Sequence, residues 1–306
     1  MTFASGLPKA ELHLHIEGTL EPEMVFRLAR RNGVGLSYPD AASLARAYQF
    51  SGLQSFLTLY YAGMDVLRNS EDFYELADAY LHRAKSDGVR HAEIFFDPQA
   101  HLSRGVPLRD VVRGLSTAAD QSTERYGISV LLIACFLRDR SAREAMDTLE
   151  ALAEHAGDIH AVGLDFRRVA HAGEEGPPEF IWQALDLLGA ERIDHGIRAV
   201  EDRKLLRRLA VDRVPLTVCP LSNVRLRCID TIARHPLPAL LDHGVLVSIN
   251  SDDPAYFGGY IGANYEAIQA AFDLSDADLA SVAANSFRSS FLPAQVISAH
   301  LASSRP

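Results

Sequence analysis

Short apolar runs along the chain alternate with longer stretches in which apolar side chains recur every three or four positions. The short runs suit buried strands and the longer ones amphipathic helices, an alternation that marks parallel strands joined by crossover helices. The predicted strands are Glu11–His15, His91–Phe96, Val130–Phe136, His160–Asp165, Arg168–His171, Arg192–His195, Pro215–Val218 and Val245–Ile249. Helices are predicted between them at Leu108–Glu124, Ala142–Glu154, Phe180–Leu188, Asp202–Leu209 and Leu237–His243. This period predicts an α/β fold, a (β/α)8 TIM barrel, with extra helices after the first strand and at the C-terminus. The first addition, Glu21 to Val89, holds helical stretches at Pro22–Arg31, Ala41–Tyr48, Leu53–Leu67 and Glu71–Ser86; the second runs from Gly262 to Ser303. No linker rich in Gly, Ser or Pro divides the chain, so one domain over residues 1–306 is expected.

One junction breaks the period. Parallel neighbours need a crossover of a dozen or more residues, yet only Phe166 and Arg167 separate the fourth and fifth predicted strands. Either the two segments form one long strand in an irregular barrel, or a crossover segment is absent between Asp165 and Arg168. The second alternative is preferred.

Composition narrows the function. The 306 residues carry 30 Lys+Arg against 40 Asp+Glu, a formal charge of −10, which would repel the phosphates of a nucleic acid polymer. The longest strongly apolar run, Ile128 to Leu137, is far short of the roughly 20 residues a membrane helix needs. The N-terminus reaches Lys9 and Glu11 without an apolar signal core, so a cytoplasmic protein is expected. Cys135, Cys219 and Cys228, odd in number and without CxxC spacing, argue against a disulfide framework and a thiolate zinc site.

Candidate chemistry collects at strand ends. His13 and His15 lie two apart on the first strand, a spacing that turns both imidazoles to one side. By itself such a pair is explained as readily by two hydrogen-bonded core histidines. His171 closes the fifth predicted strand and His195 the sixth, while Asp252 and Asp253 follow the eighth. A (β/α)8 barrel gathers its functional groups at these carboxyl ends. Any one of them could be structural: His195 could bond a carbonyl, and Asp253 could cap the turn before Pro254. Their convergence favours a metal site, with His13, His15, His171 and Asp252 as ligands and zinc the preferred ion; iron or manganese accept the same donors. Such an ion lowers the pKa of bound water toward 7. His195, if unligated, could orient that water and take its proton. Glu174 or Glu175 could protonate a substrate nitrogen, and spacing does not choose between them.

The segments LPKAELHLHIEGTL, HAGEEG, RIDHG, CPLSN and NSDDP, in this order from Leu7 onward, resemble the adenosine/adenine deaminase family of the amidohydrolase superfamily. The resemblance implies a metal-dependent barrel that replaces a purine 6-amino group by oxygen through attack of hydroxide at C6. It implies metal ligation by His13, His15, His171 and Asp252, proton donation to N1 by Glu174 rather than Glu175, positioning and deprotonation of water by His195, and a contact from Asp253 to N7. FFDPQAH at Phe95–His101 and SDDPAYFGGY at Ser251–Tyr260 resemble the adenine deaminase branch. There HIEG, with Glu17, stands where adenosine deaminases have HLDG, and the longer carboxylate would fill the space of a sugar.

Relatives place groups for the N3 edge of the purine after GLD, which implies substrate contacts from Gly163 and Asp165. The short junction falls there, and a true deletion would weaken or abolish turnover. Core and loop packing explains Phe95, Phe96, Tyr256 and Phe257 as well as substrate contact does, and Pro220, Ser222 and Asn223 could be only a turn.

The expected activity is hydrolysis of adenine, a small-molecule purine base, to hypoxanthine and ammonia. Deamination of adenosine, another adenine nucleoside or an N6-substituted adenine is the alternative, and a non-catalytic purine-binding relative is the alternative of another class. Self-association is left open.

Overall fold

The computed structural model of the chain describes residues 2–50, 52–137, 140–159 and 167–303. Seven parallel strands are present among them: β1 (Lys9–His15), β2 (Val89–Phe96), β3 (Ser129–Ala134), β4 (Val169–Ala172), β5 (Arg192–His195), β6 (Leu216–Val218) and β7 (Val247–Ile249). They form two ladders, β1-β2-β3 and β4-β5-β6-β7. The predicted strand at 160–165 lies outside the described residues, so β4 is the fifth predicted strand. The other seven sequence assignments fall on observed strands with no end shifted by more than two residues.

The two ladders meet between β7 and β1. His15 N–H donates to the Asp252 carbonyl, and Asp252 N–H to the His13 carbonyl, both at 3.0 Å. One step below, the Asn250 side-chain oxygen accepts the Leu12 N–H at 2.7 Å. These bonds join the ladders into a parallel α/β barrel wall running β4-β5-β6-β7-β1-β2-β3, and they bring Asp252 beside the two histidines of β1.

Helices cover the wall where the periodicity places them. The helix Ser70–Ser86 starts with a capping box, Asn69 accepting from the N–H of Asp72 while the Asp72 carboxylate accepts from the N–H of Asn69. It buries Phe73, Leu76, Ala77, Tyr80 and Leu81 on one face, each worth roughly 1.5 to 3 kcal/mol where a large apolar side chain is fully enclosed. It packs against the helix Leu108–Tyr126, where any Cβ at Gly114 would approach the Phe73 Cβ to 2.6 Å. The C-terminal addition forms three helices, Ile261–Phe272, Asp276–Arg288 and Ala294–Ser303; Phe287 of the second packs on Ala10 and Leu12 of β1.

A buried polar layer lies near the functional end. The Arg192 guanidinium, fully buried, bonds the Glu93 carboxylate and donates to the Leu12 carbonyl at 3.0 Å, linking β5, β2 and β1. The pairing of β1 with β2 also slips between Glu11 and Leu14. Bulges of this kind re-aim side chains beside functional sites, and this one takes in His13, the first of the two histidines of β1.

Candidate active site

Every candidate ligand sits at the carboxyl end of a strand, as the barrel requires. His13 and His15 end β1, His171 is on β4, and Asp252 follows β7. His15 Nε2 lies 3.2 Å from His171 Nε2, His13 Nε2 lies 3.3 Å from Asp252 Oδ1, and His15 Nε2 lies 3.6 Å from the same oxygen. Ligand atoms about 2.0 to 2.1 Å from one tetrahedral ion are separated by roughly 3.4 Å, so these spacings fit donors around a common cation.

Two of the three imidazoles are held neutral, whereas His13 is carried above its ordinary value, its burial outweighed by Asp252 and Asp194 together. His13 Nε2 is buried without a hydrogen-bond partner, whereas Nδ1 of the same ring lies 3.1 Å from the Thr217 hydroxyl. A buried nitrogen left unpaired is costly, and a cation at this point satisfies it. Burial pushes the His15 and His171 imidazoles down to about 3, keeping them neutral, as metal ligation demands. Burial alone would raise Asp252, but the neighbouring His13 outweighs it and holds the carboxyl well below its usual range.

Behind these four side chains stands a second set of groups. Asp194 places Oδ2 3.5 Å from His171 Nδ1 and Oδ1 3.9 Å from His13 Nδ1, and accepts the Thr217 hydroxyl at 2.7 Å. The Ser222 hydroxyl donates to Asp252 Oδ2 at 2.6 Å. Such partners fix the orientation of the two rings and the carboxylate. Asp194 was visible in RIDHG, one residue before His195, but adjacent strand residues normally face opposite sides. The backbone resolves the conflict: His195 has φ 61° and Asp252 has φ 65°, left-handed values that cost a non-glycine residue energy and recur at functional sites.

Glu174, His195 and Asn223 form one contact set. His195 Nε2 lies 3.4 Å from Glu174 Oε2, and the Asn223 amide nitrogen lies 3.3 Å from both Glu174 Oε1 and His195 Nδ1. His235 orients that amide. Its Nδ1 accepts the Leu237 N–H at 3.0 Å, so its Nε2 carries the hydrogen and donates to Asn223 Oδ1 at 3.3 Å. Asn223 must then turn its NH2 to Glu174 and His195. The His195 ring in turn accepts at Nδ1, which leaves the hydrogen of its neutral form on Nε2, facing Glu174. Burial, then Asp252, pushes Glu174 up to about 8, so it keeps a proton at neutral pH. Glu175 is exposed, and its carbonyl accepts from Arg198 at 2.7 Å.

The remaining sequence candidates divide. Asp253 is buried, and burial followed by Asp252 pushes its carboxyl well above the usual range. Gly18 allows its approach, since a Cβ there would lie 2.6 Å from the Asp253 Cα. Glu17 is fully buried and does not line the cavity; its Oε1 accepts the Asp97 N–H at 3.1 Å and lies 2.7 Å from His101 Nε2. Gly163 and Asp165 lie outside the described residues. The aromatic candidates also split: Phe95 stacks on His15 with centroids 5.2 Å apart, Tyr256 stacks on Tyr48 at 4.2 Å, Phe96 is core, and Phe257 lines the cavity. Ser222 and Asn223 are buried on a short helix, Pro220–Arg225, with the contacts given above.

A cavity of about 910 Å³ opens over this cluster, walled by His15, Asp97, Glu174, Asp253, Tyr60 and Phe257 among others. Mostly apolar walls with a few convergent polar groups are the usual form of a small-molecule site. No helix among the described residues is long and apolar enough to cross a membrane.

Comparison with known proteins agrees with this geometry. The family model described as adenosine deaminase matches residues 8–167 and 159–303. A protein named adenine deaminase from Streptomyces coelicolor is 58% identical over 308 residues, covering 94% of this chain and 91% of that protein. Among solved structures, adenine deaminase from Arthrobacter aurescens superposes with a TM-score of 0.94 at 49% identity, covering 97% of this chain and 98% of its own. An amidohydrolase from Burkhoderia ambifaria, solved with bound Zn, gives a TM-score of 0.89 at 26% identity over 99% of this chain and 90% of its own. The aligned length with the Streptomyces protein exceeds what 94% of 306 residues supplies, so that relative carries residues this chain lacks. The family match breaks and overlaps at 159–167, where the sequence pattern placed the missing crossover.

Proposed function

Because the chain belongs to the adenosine deaminase family, we propose that it is an adenine aminohydrolase, a single metal-dependent domain over residues 1–306 that converts adenine and water to hypoxanthine and ammonia. The observation that carries this reading is the set of contacts of 3.2 to 3.6 Å linking His13, His15, His171 and Asp252, with Glu174 reached through His195 and His13 Nε2 buried without a hydrogen-bond partner.

These four side chains would hold one zinc ion. When bound, it supplies a Lewis acid that makes water acidic enough to react at neutral pH. The protein's own groups then divide the work. Glu174, protonated at neutral pH, donates to N1 of the purine and so draws electron density away from C6, where the oxygen of water adds. His195, with its hydrogen on Nε2, donates toward that oxygen and positions it. Its Nδ1 is occupied by Asn223, which favours positioning over proton acceptance. Asp253, holding its proton through burial, donates to N7. The carboxylate left on Glu174 takes one proton of the water as its oxygen bonds to C6; the second proton of that oxygen passes to the 6-amino group, the C6–N bond breaks to release ammonia, and the oxygen becomes the 6-oxo group of hypoxanthine.

Adenine is preferred over adenosine because the Asp97 carboxyl stands in the cavity wall just past β2, backed by the buried Glu17, where a sugar would need room. The names carried by the similar proteins from Streptomyces and Arthrobacter point the same way. A second reading, purine binding without turnover, is favoured by one observation, the shortened stretch at 159–167. Absorbance assays with adenine, adenosine and N6-methyladenine, run beside elemental analysis of the purified protein, decide between them. Turnover of adenine with about one zinc per chain is expected. Bound metal with no turnover of any of the three would replace the enzyme by the binding protein.

A further inference from the structure

We propose that Asp97 selects the free base over its nucleosides by accepting a hydrogen bond from the ring N9–H of adenine, a hydrogen that every N9-glycosylated substrate lacks. The proposal rests on the adenine reading above and adds the group that enforces it.

The first support is placement. Asp97 directly follows β2, lines the cavity, and lies with His15 and Cys135 in a group whose polar or sulfur atoms are within 4.8 Å of one another. It therefore stands beside the reaction centre. Glu17, which the sequence offered for this role, stands behind it, out of the lining, with Oε1 spent on the Asp97 backbone N–H and on His101. His101 is itself fixed by Arg104, whose guanidinium bonds its other ring nitrogen and the Met64 carbonyl at 2.5 Å. Glu17 thus acts through Asp97, and the carboxyl presented to the ligand is that of Asp97, with its Oδ2 3.4 Å from the Tyr60 hydroxyl.

The second support is the circular order of the groups. Around the barrel mouth, the wall runs from β4 through β5, β6 and β7 to β1 and β2. Glu174 follows β4, Asp253 follows β7 and Asp97 follows β2. Around the purine perimeter from N1 through C6, the ring atoms that bond laterally come in the order N1, N7, N9. With N1 on Glu174 and N7 on Asp253, the next group round the mouth meets N9. A carboxyl side chain has acceptor oxygens in either protonation state, so it suits an N–H and opposes a glycosidic carbon. A site built to bond a substrate N–H rejects analogues lacking it strongly, because its buried polar group is then left unpaired.

The test measures kcat/KM for adenine and the inhibition constants of hypoxanthine and 9-methylhypoxanthine, for the metal-loaded wild type and for Asp97→Ala. Hypoxanthine binding should weaken roughly tenfold to a hundredfold, the scale for a hydrogen bond to an ionisable group. Binding of 9-methylhypoxanthine should change by less than about threefold, so the preference between the two collapses, and adenine kcat/KM falls with hypoxanthine affinity. Equal weakening of both inhibitors would assign Asp97 a merely structural role, and unchanged hypoxanthine binding would remove it from the site; either overturns the proposal. If Asp97→Ala does not fold, Asp97→Val, which also lacks an acceptor, gives the same ratio. Failure of the wild type to deaminate adenine is a separate result that strikes the parent reading, since the inhibitor ratio is read from binding and can be taken by competition or calorimetry.

Discussion

His15 and His171, 156 positions apart in sequence, bring their Nε2 atoms to 3.2 Å. Two neutral imidazole nitrogens that close, both lacking a proton if they are to bind a cation, repel through their lone pairs unless something positive lies between them. Replacing His171 by alanine removes one donor and leaves His15, His13 and Asp252. Metal content measured by elemental analysis after extensive dialysis should fall several-fold, with deamination falling in proportion. Full metal retention in His171→Ala would remove this histidine from the ligand set.

Glu174 is the second decisive residue. The isosteric change Glu174→Gln keeps the shape and a hydrogen-bonding tip but removes the transferable proton. Metal should stay bound while kcat drops by a factor of about 10² to 10⁴, the range for a general acid. In the wild type, Glu174 is pushed up to about 8 by burial and by Asp252, so activity that needs its protonated form should decline as pH rises through about 8. A rate profile that stays level from neutral pH to well above that value would assign the proton transfer elsewhere.

Much of this site is legible in the amino-acid sequence. The two-residue spacing of His13 and His15, the strand-ending His171 and His195, and the Asp252–Asp253 pair each follow from local pattern plus the geometry of a barrel. What is illegible depends on contacts between distant segments. Glu17 reads as a wall of the ligand cavity because nothing in HIEG reveals that its oxygen is taken by residues 80 and 84 positions later. Asn223 resembles a turn residue because its partners, Glu174, His195 and His235, come from three other elements. Asp194 is hidden by strand alternation, which the left-handed backbone at His195 interrupts. The barrel is recognisable from periodicity alone, and so are the helices of the first insertion, since Pro22–Asn32, Ala41–Ala47, Leu53–Met64 and Ser70–Ser86 each bury one apolar face.

Asn223→Ala separates positioning from structure. The amide donates to Glu174 and thereby lowers the pKa of that carboxyl against the upward push of burial. Its removal should move the alkaline decline of activity to higher pH, and loss of the clamp on His195 should lower kcat, on the order of tenfold for one mispositioned pair. A purely structural role would lower the amount of active enzyme and leave the pH profile in place. His235→Ala should produce a milder form of the same shift, because Asn223 then keeps its NH2 but loses the bond that orients it.

Glu11, one layer below the proposed site, supplies a stability prediction. It is fully buried, accepts the Tyr80 hydroxyl at 2.7 Å and also bonds the Ser251 hydroxyl, yet burial still pushes it from the ordinary 4.5 up to about 7. The folded protein therefore retains a proton that the unfolded chain releases over the interval between these values. Where the native state binds more protons, stability falls as pH rises; the contribution of Glu11 is complete below about 4.5, declines through the interval, and is gone above about 7. Glu11→Gln keeps the volume and an acceptor oxygen but cannot ionise, so it escapes this decline. Thermal midpoints of wild type and variant at pH 5 and pH 8.5 should diverge in favour of the variant at the higher pH. The differential is on the order of 3 kcal/mol at most, since a pKa difference of one between folded and unfolded chain corresponds to about 1.4 kcal/mol. Metal release at acid pH affects both proteins alike and cancels in the comparison. If the two midpoints keep a constant separation at both pH values, Glu11 is ionised in the folded protein at neutral pH and its two hydroxyl donors outweigh the cost of burial.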